Sequence, residues 1–272
     1  MSRTVVVGAS SGLGRCIGIG LAQRGDQVAL LARRRERLES AAKEAGAGAV
    51  AVECDIIDEA SCRSAIGQAA EALGGIDNVV FTPAISPLVR LVDTDAQTWR
   101  RIFDTNVIGA SLVTAAAVPH LTASAGKAVY LSSDAGPYGP SWQGLGAYGV
   151  SKAALERLVD AWRAEHPDIG FTNLIVGECA GGEGEAATGM NAGWDMDLAV
   201  RAVPVWVSDR CMPGKLMPIE DLVEVVHTIL RTNSSTSMPI VIARDTRGGA
   251  PRVSRRSRPL SDGGAPSPVP AR

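Results

Sequence analysis

Short apolar runs alternate along the chain with longer segments whose apolar residues recur at helical spacing. Thr4 to Val7 is a β-branched run that meets Gly8, and an amphipathic segment follows from Leu13 to Arg24. This pattern predicts a strand, a glycine turn and a helix. The unit then repeats. Val28 to Ala32, Val50 to Cys54, Asn78 to Thr82 and Ala128 to Ser132 read as strands. Glu36 to Ala45, Ser61 to Leu73 and a segment around Trp99 to Val118 read as helices. Val5-Val6-Val7 and Val28-Ala29-Leu30-Leu31 are continuously apolar rather than alternating, as strands covered on both faces must be. The expectation is an α/β fold: a single doubly wound Rossmann-type domain over residues 1–243, with a mostly parallel sheet and helices on both faces.

Composition changes this picture in one place. From Arg244 to Arg272 the chain carries seven Arg, five Pro and four Gly against two Asp, a net charge of +5 with almost no large apolar residues. Such a segment lacks the material for a core and predicts a disordered basic tail over 244–272, either a solvated extension or a weak tether. The whole chain, at 272 residues and a net charge of −2, gives no electrostatic case for nucleic acid or an anionic membrane, so a small-molecule partner is expected. Its five cysteines and three histidines are scattered, which argues against a disulfide scaffold or a metal site. Met1 to Arg3 leads straight into the first strand without a secretory signal, and no hydrophobic run approaches bilayer-spanning length. A cytoplasmic location with no membrane association is the resulting expectation.

The first candidate site is Gly8-Ala9-Ser10-Ser11-Gly12-Leu13-Gly14, at the junction of the first strand and first helix. Helix-terminal N–H groups favour an anion there, and glycines let the backbone approach a pyrophosphate without Cβ collisions. With Val7 before it, this stretch resembles the glycine motif of the short-chain dehydrogenase/reductase family, which usually begins Thr-Gly. The resemblance extends to about residue 243. It implies that Gly8, Ser10, Ser11, Gly12, Leu13 and Gly14 hold a dinucleotide, and that Asp55 with Ile56, after the third strand, contacts the adenine ring. The second strand ends Leu31-Ala32-Arg33-Arg34, with no acid to accept from a free ribose hydroxyl and two guanidinium groups shaped for a phosphate. The expected cofactor is NADP(H) rather than NAD(H), with Arg33 as main discriminator and Arg34 in support.

Tyr148-Gly149-Val150-Ser151-Lys152 places a phenol and an ammonium four residues apart on one helix face. A fixed cation beside a tyrosine is expected to lower its pKa toward neutrality, so that the phenol serves as acid in one direction and base in the other. By resemblance, Ser133 of Tyr130-Leu131-Ser132-Ser133 bonds the substrate oxygen, and Asn106 of Asp104-Thr105-Asn106-Val107 holds a water that links the lysine to solvent. Asn106, Ser133, Tyr148 and Lys152 then form the family's catalytic tetrad, with Asn106, Tyr148 and Lys152 also facing the cofactor. The interval from Ser133 to Tyr148 is two residues longer than the family pattern, which predicts a small insertion between Pro137 and Leu145.

Two family motifs are altered. Thr82-Pro83-Ala84-Ile85 stands where Asn-Asn-Ala-Gly is usual, so that only Ala84 remains for the cofactor, and Gly177-Glu178 replaces Pro-Gly. A substrate loop over about 178–217 follows, whose Met190, Trp194, Met196 and Trp206 serve either an apolar pocket or the loop's own core. The resemblance implies interconversion of a carbonyl and an alcohol on a small or medium, apolar substrate, by a homodimer or homotetramer. The altered motifs leave a second expectation, a nucleotide-sensing regulatory protein with impaired catalysis on the same fold.

Overall fold

A computed structural model describes residues 1–182, 184–187, 189–209, 211–212, 216–232 and 238–244. The tail expected to be disordered lies, apart from Arg244, outside the described residues. Seven strands, β1 (Arg3–Val7), β2 (Gln27–Ala32), β3 (Ala49–Glu53), β4 (Asn78–Phe81), β5 (Lys127–Ser133), β6 (Gly170–Val176) and β7 (Ile240–Ala243), form one sheet. Their order is β3-β2-β1-β4-β5-β6-β7, and every neighbouring pair is parallel. The helices are α1 (Gly12–Gln23), α2 (Arg35–Ala45), α3 (Glu59–Leu73), α4 (Ala96–Phe103), α5 (Gly109–Ser124), α6 (Gly146–Glu165), α7 (Met196–Ser208) and α8 (Ile219–Arg231). The doubly wound α/β architecture is therefore the one expected.

Strand pleating divides the apolar runs between two cores. Val5, Val7, Ala29, Leu31, Phe81 and Tyr130 point to one face and pack with α3, α5 and α6. Val6, Val28, Leu30, Val80, Val129 and Leu131 point to the other, where α1, α2 and α8 cover them. This two-sided burial is the reason those strands lack polar alternation. Lys127, at the start of β5, points its ammonium at the carbonyl oxygens of Ile229, Leu230 and Thr232 and so closes the negative end of α8.

The segment around Trp99 to Val118 is longer than expected. α4 and α5 join through a π-helical turn, Asp104–Ile108, into a continuous helical stretch from Ala96 to Ser124. By length and composition this stretch is apolar enough to cross a bilayer, contrary to the expectation that no run approaches that length. In the fold it lies against α3 and α6 on one face of the sheet.

Candidate active site

The order of strands reverses direction between β1 and β4, and a cleft of about 510 Å³ opens at the carboxyl ends of the strands there. This is where open parallel sheets bind ligands. Gly8, Ser10, Ser11, Gly12, Leu13, Gly14, Arg33, Arg34, Asp55, Ile56, Ala84, Tyr148 and Lys152 all line it. Asn106 and Ser133, also predicted as site residues, are buried and do not line the cleft.

Gly8 turns the chain out of β1 with φ of +85°, a conformation that a side chain would strain. A Cβ added at Gly14 would lie 2.6 Å from the Gly8 carbonyl oxygen and press on Thr82 Oγ1. The first turn of α1 thus packs directly on the glycine turn, and its leading N–H groups face the cleft as an anion site. Thr82, which breaks the family pattern, has a structural use: its N–H and hydroxyl both donate to the Val7 carbonyl, at 3.2 and 2.7 Å. It stitches the exit of β4 to the end of β1.

Arg34, rather than Arg33, closes on the turn. Its Nε and Nη2 donate to Ser10 Oγ at 3.2 and 2.9 Å, and Nη2 also reaches Ser11 Oγ at 2.7 Å. Burial, then the neighbouring Arg37 and Arg33, push its pKa down. Three guanidinium groups that repel one another beside a helix N-terminus suit a dianionic group, and Arg37, which lines the cleft, was not singled out in the sequence. The loop turn Gly184–Ala186 is latched to this end of the cleft, where Glu185 accepts from Ser40 at 2.6 Å and pairs with Arg15 at 3.2 Å.

Asn106 sits in the π-helical turn and is fully buried. Its amide nitrogen donates to Ile85 O (3.0 Å) and Ser151 Oγ (2.9 Å), and its Oδ1 accepts from Ile85 N (2.8 Å). The side chain is tied to the loop after β4, and it supplies partners to the backbone of the altered Thr82–Ile85 segment. A π-turn opens the helix ladder locally, a device common at functional sites.

Tyr148 and Lys152 stand one turn apart on α6, both buried, with the ammonium 5.7 Å from the centre of the phenol ring. Lys152 Nζ donates to the Leu131 carbonyl at 2.6 Å. The Tyr148 hydroxyl is near enough to Ser133 for the serine to favour its phenolate, and Ser133 Oγ accepts from Ala135 N at 3.2 Å. The expected lowering of the phenol pKa is not found. Burial pushes Tyr148 up to about 12, Ser133 opposes that, and the carboxylates of Asp134 and Glu178 push it further up. Burial in turn pushes Lys152 down to about 8, against the opposing charge of Glu156. Burial is the largest influence on both groups, because both leave water together.

Sequence reading did not anticipate the carboxylates. β5 and β6 pair Ser133 with Val176, so Asp134 and Gly177-Glu178 leave adjacent strand ends side by side. Burial raises Asp134 to about 6, with Arg244 opposing, and raises Glu178 to about 7 with help from Asp134. Segment 137–145 brings Trp142 onto Trp206 of α7, ring centres 5.2 Å apart, and Trp194 meets Trp206 at 5.9 Å. These rings pack with Leu88, Leu145 and Tyr148 in one cluster. Trp194 and Trp206 therefore serve the loop's core, Met190 lines the cleft, and Met196 is exposed.

The family profile described as short chain dehydrogenase matches residues 2–194. The chain is 32% identical over 179 residues to 11-beta-hydroxysteroid dehydrogenase-like 2 of Arabidopsis thaliana, covering 64% of this chain and 58% of that one. It is 30% identical over 207 residues to carbonyl reductase family member 4 of Danio rerio, covering 75% and 84%. The chain spans 58% or less of the length of the first curated relatives it matches. Among solved structures, an alcohol dehydrogenase from Thermococcus sibiricus complexed with 5-hydroxy-NADP superposes with a TM-score of 0.74 at 22% identity, covering 90% of this chain and 97% of that one. At that identity the likeness speaks for the fold.

Proposed function

The chain belongs to the short-chain dehydrogenase/reductase family, and from that premise we propose that it is an NADP(H)-dependent oxidoreductase interconverting a carbonyl and an alcohol on a small or medium, apolar substrate. One observation carries this reading: a buried phenol, beside Ser133 and one helical turn from a buried ammonium, borders the cleft that begins at the glycine turn. The cofactor fits the residues present. Gly8 and Gly14 let the first turn of α1 pack directly on the end of β1, and Arg33, Arg34 and Arg37 line the same end of the cleft. Bound there, the nicotinamide would supply or receive the hydride.

The chain's own groups do the rest. Tyr148, which lines the cleft, donates its phenolic proton to the reacting oxygen as negative charge develops on it, and Ser133, buried behind the phenol, supports the hydroxyl. With a pKa pushed up to about 12, the phenol is protonated throughout the neutral range and serves as acid without prior titration. Lys152 holds a positive charge beside the phenolate left behind, and the packed tryptophan cluster keeps water from the reacting groups.

Purified protein should oxidise NADPH faster than NADH against a panel of aldehydes, ketones and quinones. Removing both guanidinium groups, Arg33→Ala with Arg34→Ala, should raise KM for NADPH about tenfold or more, the worth of one or two charge-assisted bonds. KM for NADH should hardly change. Equal efficiency with the two cofactors in the unaltered protein would sink the NADP(H) assignment.

A further inference from the structure

α6 carries a third buried ionisable group on the face that bears Tyr148 and Lys152. Glu156 follows Lys152 by one further turn and is only 5% exposed. Ser132 Oγ donates to its Oε1 at 2.5 Å, and Asn173 Nδ2 donates to its backbone carbonyl at 3.3 Å. The position of a Cβ on Gly136 lies 3.2 Å from Glu156 Oε1 and 3.5 Å from Lys152 Cβ, so the loop after β5 closes over both side chains at once. The environment of Lys152 is equally dry, at 2% exposure, and its ammonium donates to a neutral carbonyl, that of Leu131. A buried ammonium that donates to a neutral acceptor tends to lose its proton, whereas a carboxylate one helical turn away in a poorly screened interior holds it in place.

We propose that Glu156 is a positioning residue: its carboxylate is the counter-charge that keeps Lys152 protonated, and its bond to Ser132 fixes the end of β5 whose Leu131 carbonyl receives that ammonium. Among the described residues, three other titratable groups act here. Tyr148 faces Lys152 from the same helix, while Asp160 on α6 and Tyr138 on the loop after β5 interact with Glu156. Asp160 and burial both favour the protonated form of Glu156, and the Ser132 bond and Lys152 favour the charged one. The proton balance of the pair is thus set within α6 and the end of β5. The consequence for turnover rests on the catalytic reading of Tyr148 and Lys152, but the charge relation itself does not.

The chain has four lysines, Lys43, Lys127, Lys152 and Lys215, which makes their side chains individually readable. In full-length protein labelled with carbon-13 at lysine Cε, a pH titration by NMR, with Lys152→Arg to assign the signal, gives the Lys152 midpoint without substrate or cofactor. Glu156→Gln keeps the shape and an acceptor for Ser132 while removing the charge. The midpoint should fall by about one pH unit, a tenfold change in the proton dissociation constant, and Glu156→Asp should restore part of it. A purely structural Glu156 would leave the midpoint where it was in a folded Glu156→Gln protein, and that result overturns the proposal. Glu156→Met, of similar length and apolar, gives the same reading if the glutamine variant does not fold. Because no turnover is measured, a missing enzymatic activity would bear on the proposed function and not on this pair.

Discussion

Replacing Tyr148 with phenylalanine should lower kcat by about 10²–10⁴-fold, the usual worth of a positioned acid, while NADPH affinity stays unchanged. The hydroxyl is a small part of the side chain, and the ring keeps its packing against Leu88, Leu145 and the tryptophans. What disappears is the proton donor beside Ser133. Steady-state kinetics on the best substrate of the panel, beside a direct cofactor titration, separates the two effects. A phenylalanine variant that turns over at the unaltered rate would remove Tyr148 from the chemistry. If the unaltered protein binds NADPH tightly and reduces nothing, the sensor reading of this fold gains.

The second large effect is expected at Gly14. An alanine there would bring its methyl group to 2.6 Å from the Gly8 carbonyl oxygen and against Thr82, both parts of a turn already stitched to Val7. The carbonyl is backbone and the Thr82 hydroxyl is held by its bond to Val7, so the turn must open or α1 must shift. Overpacking of this kind costs about 1–3 kcal/mol, seen as a lower denaturation midpoint. The turn that widens is the one aimed at the pyrophosphate, so NADPH affinity should fall by about two orders of magnitude, as when a few charge-assisted bonds are lost. Gly67, on the exposed side of α3 with open space around it, is the control: Gly67→Ala should leave both readings intact. An unaltered NADPH affinity in Gly14→Ala would mean that the ligand does not approach this backbone.

Much of the fold was legible because it rests on local pattern. Two-sided burial made β1 and β2 readable as continuous apolar runs, and glycine at the end of β1 marked the turn. The pair Tyr148 and Lys152 was legible for the same reason, since a helix converts a spacing of four into proximity. Glu156 obeys that spacing too and went unread, because an acid on a helix is ordinary until its burial is known. The carboxylates of Asp134 and Glu178 are 44 positions apart in the sequence and meet only through the register of β5 with β6, which no local pattern encodes. Burial likewise decided the direction of the Tyr148 shift. A lysine nearby in sequence suggests a lowered phenol pKa, but desolvation is the largest influence on both groups. The departures at Thr82–Ile85 read as damage in one dimension and as exchange in three, with Thr82 bonded to Val7 and Ile85 held by Asn106.

The most direct measurement is a titration of the unaltered protein with NADPH, followed both by calorimetry and by quenching of its five tryptophans with energy transfer to the nicotinamide. The expected result is saturable one-to-one binding that weakens in Gly14→Ala and in the Arg33, Arg34 double variant and persists in Tyr148→Phe. A titration that stays flat for NADPH and NADH alike would contradict the assignment of the cleft at the end of β1, and the proposed chemistry with it.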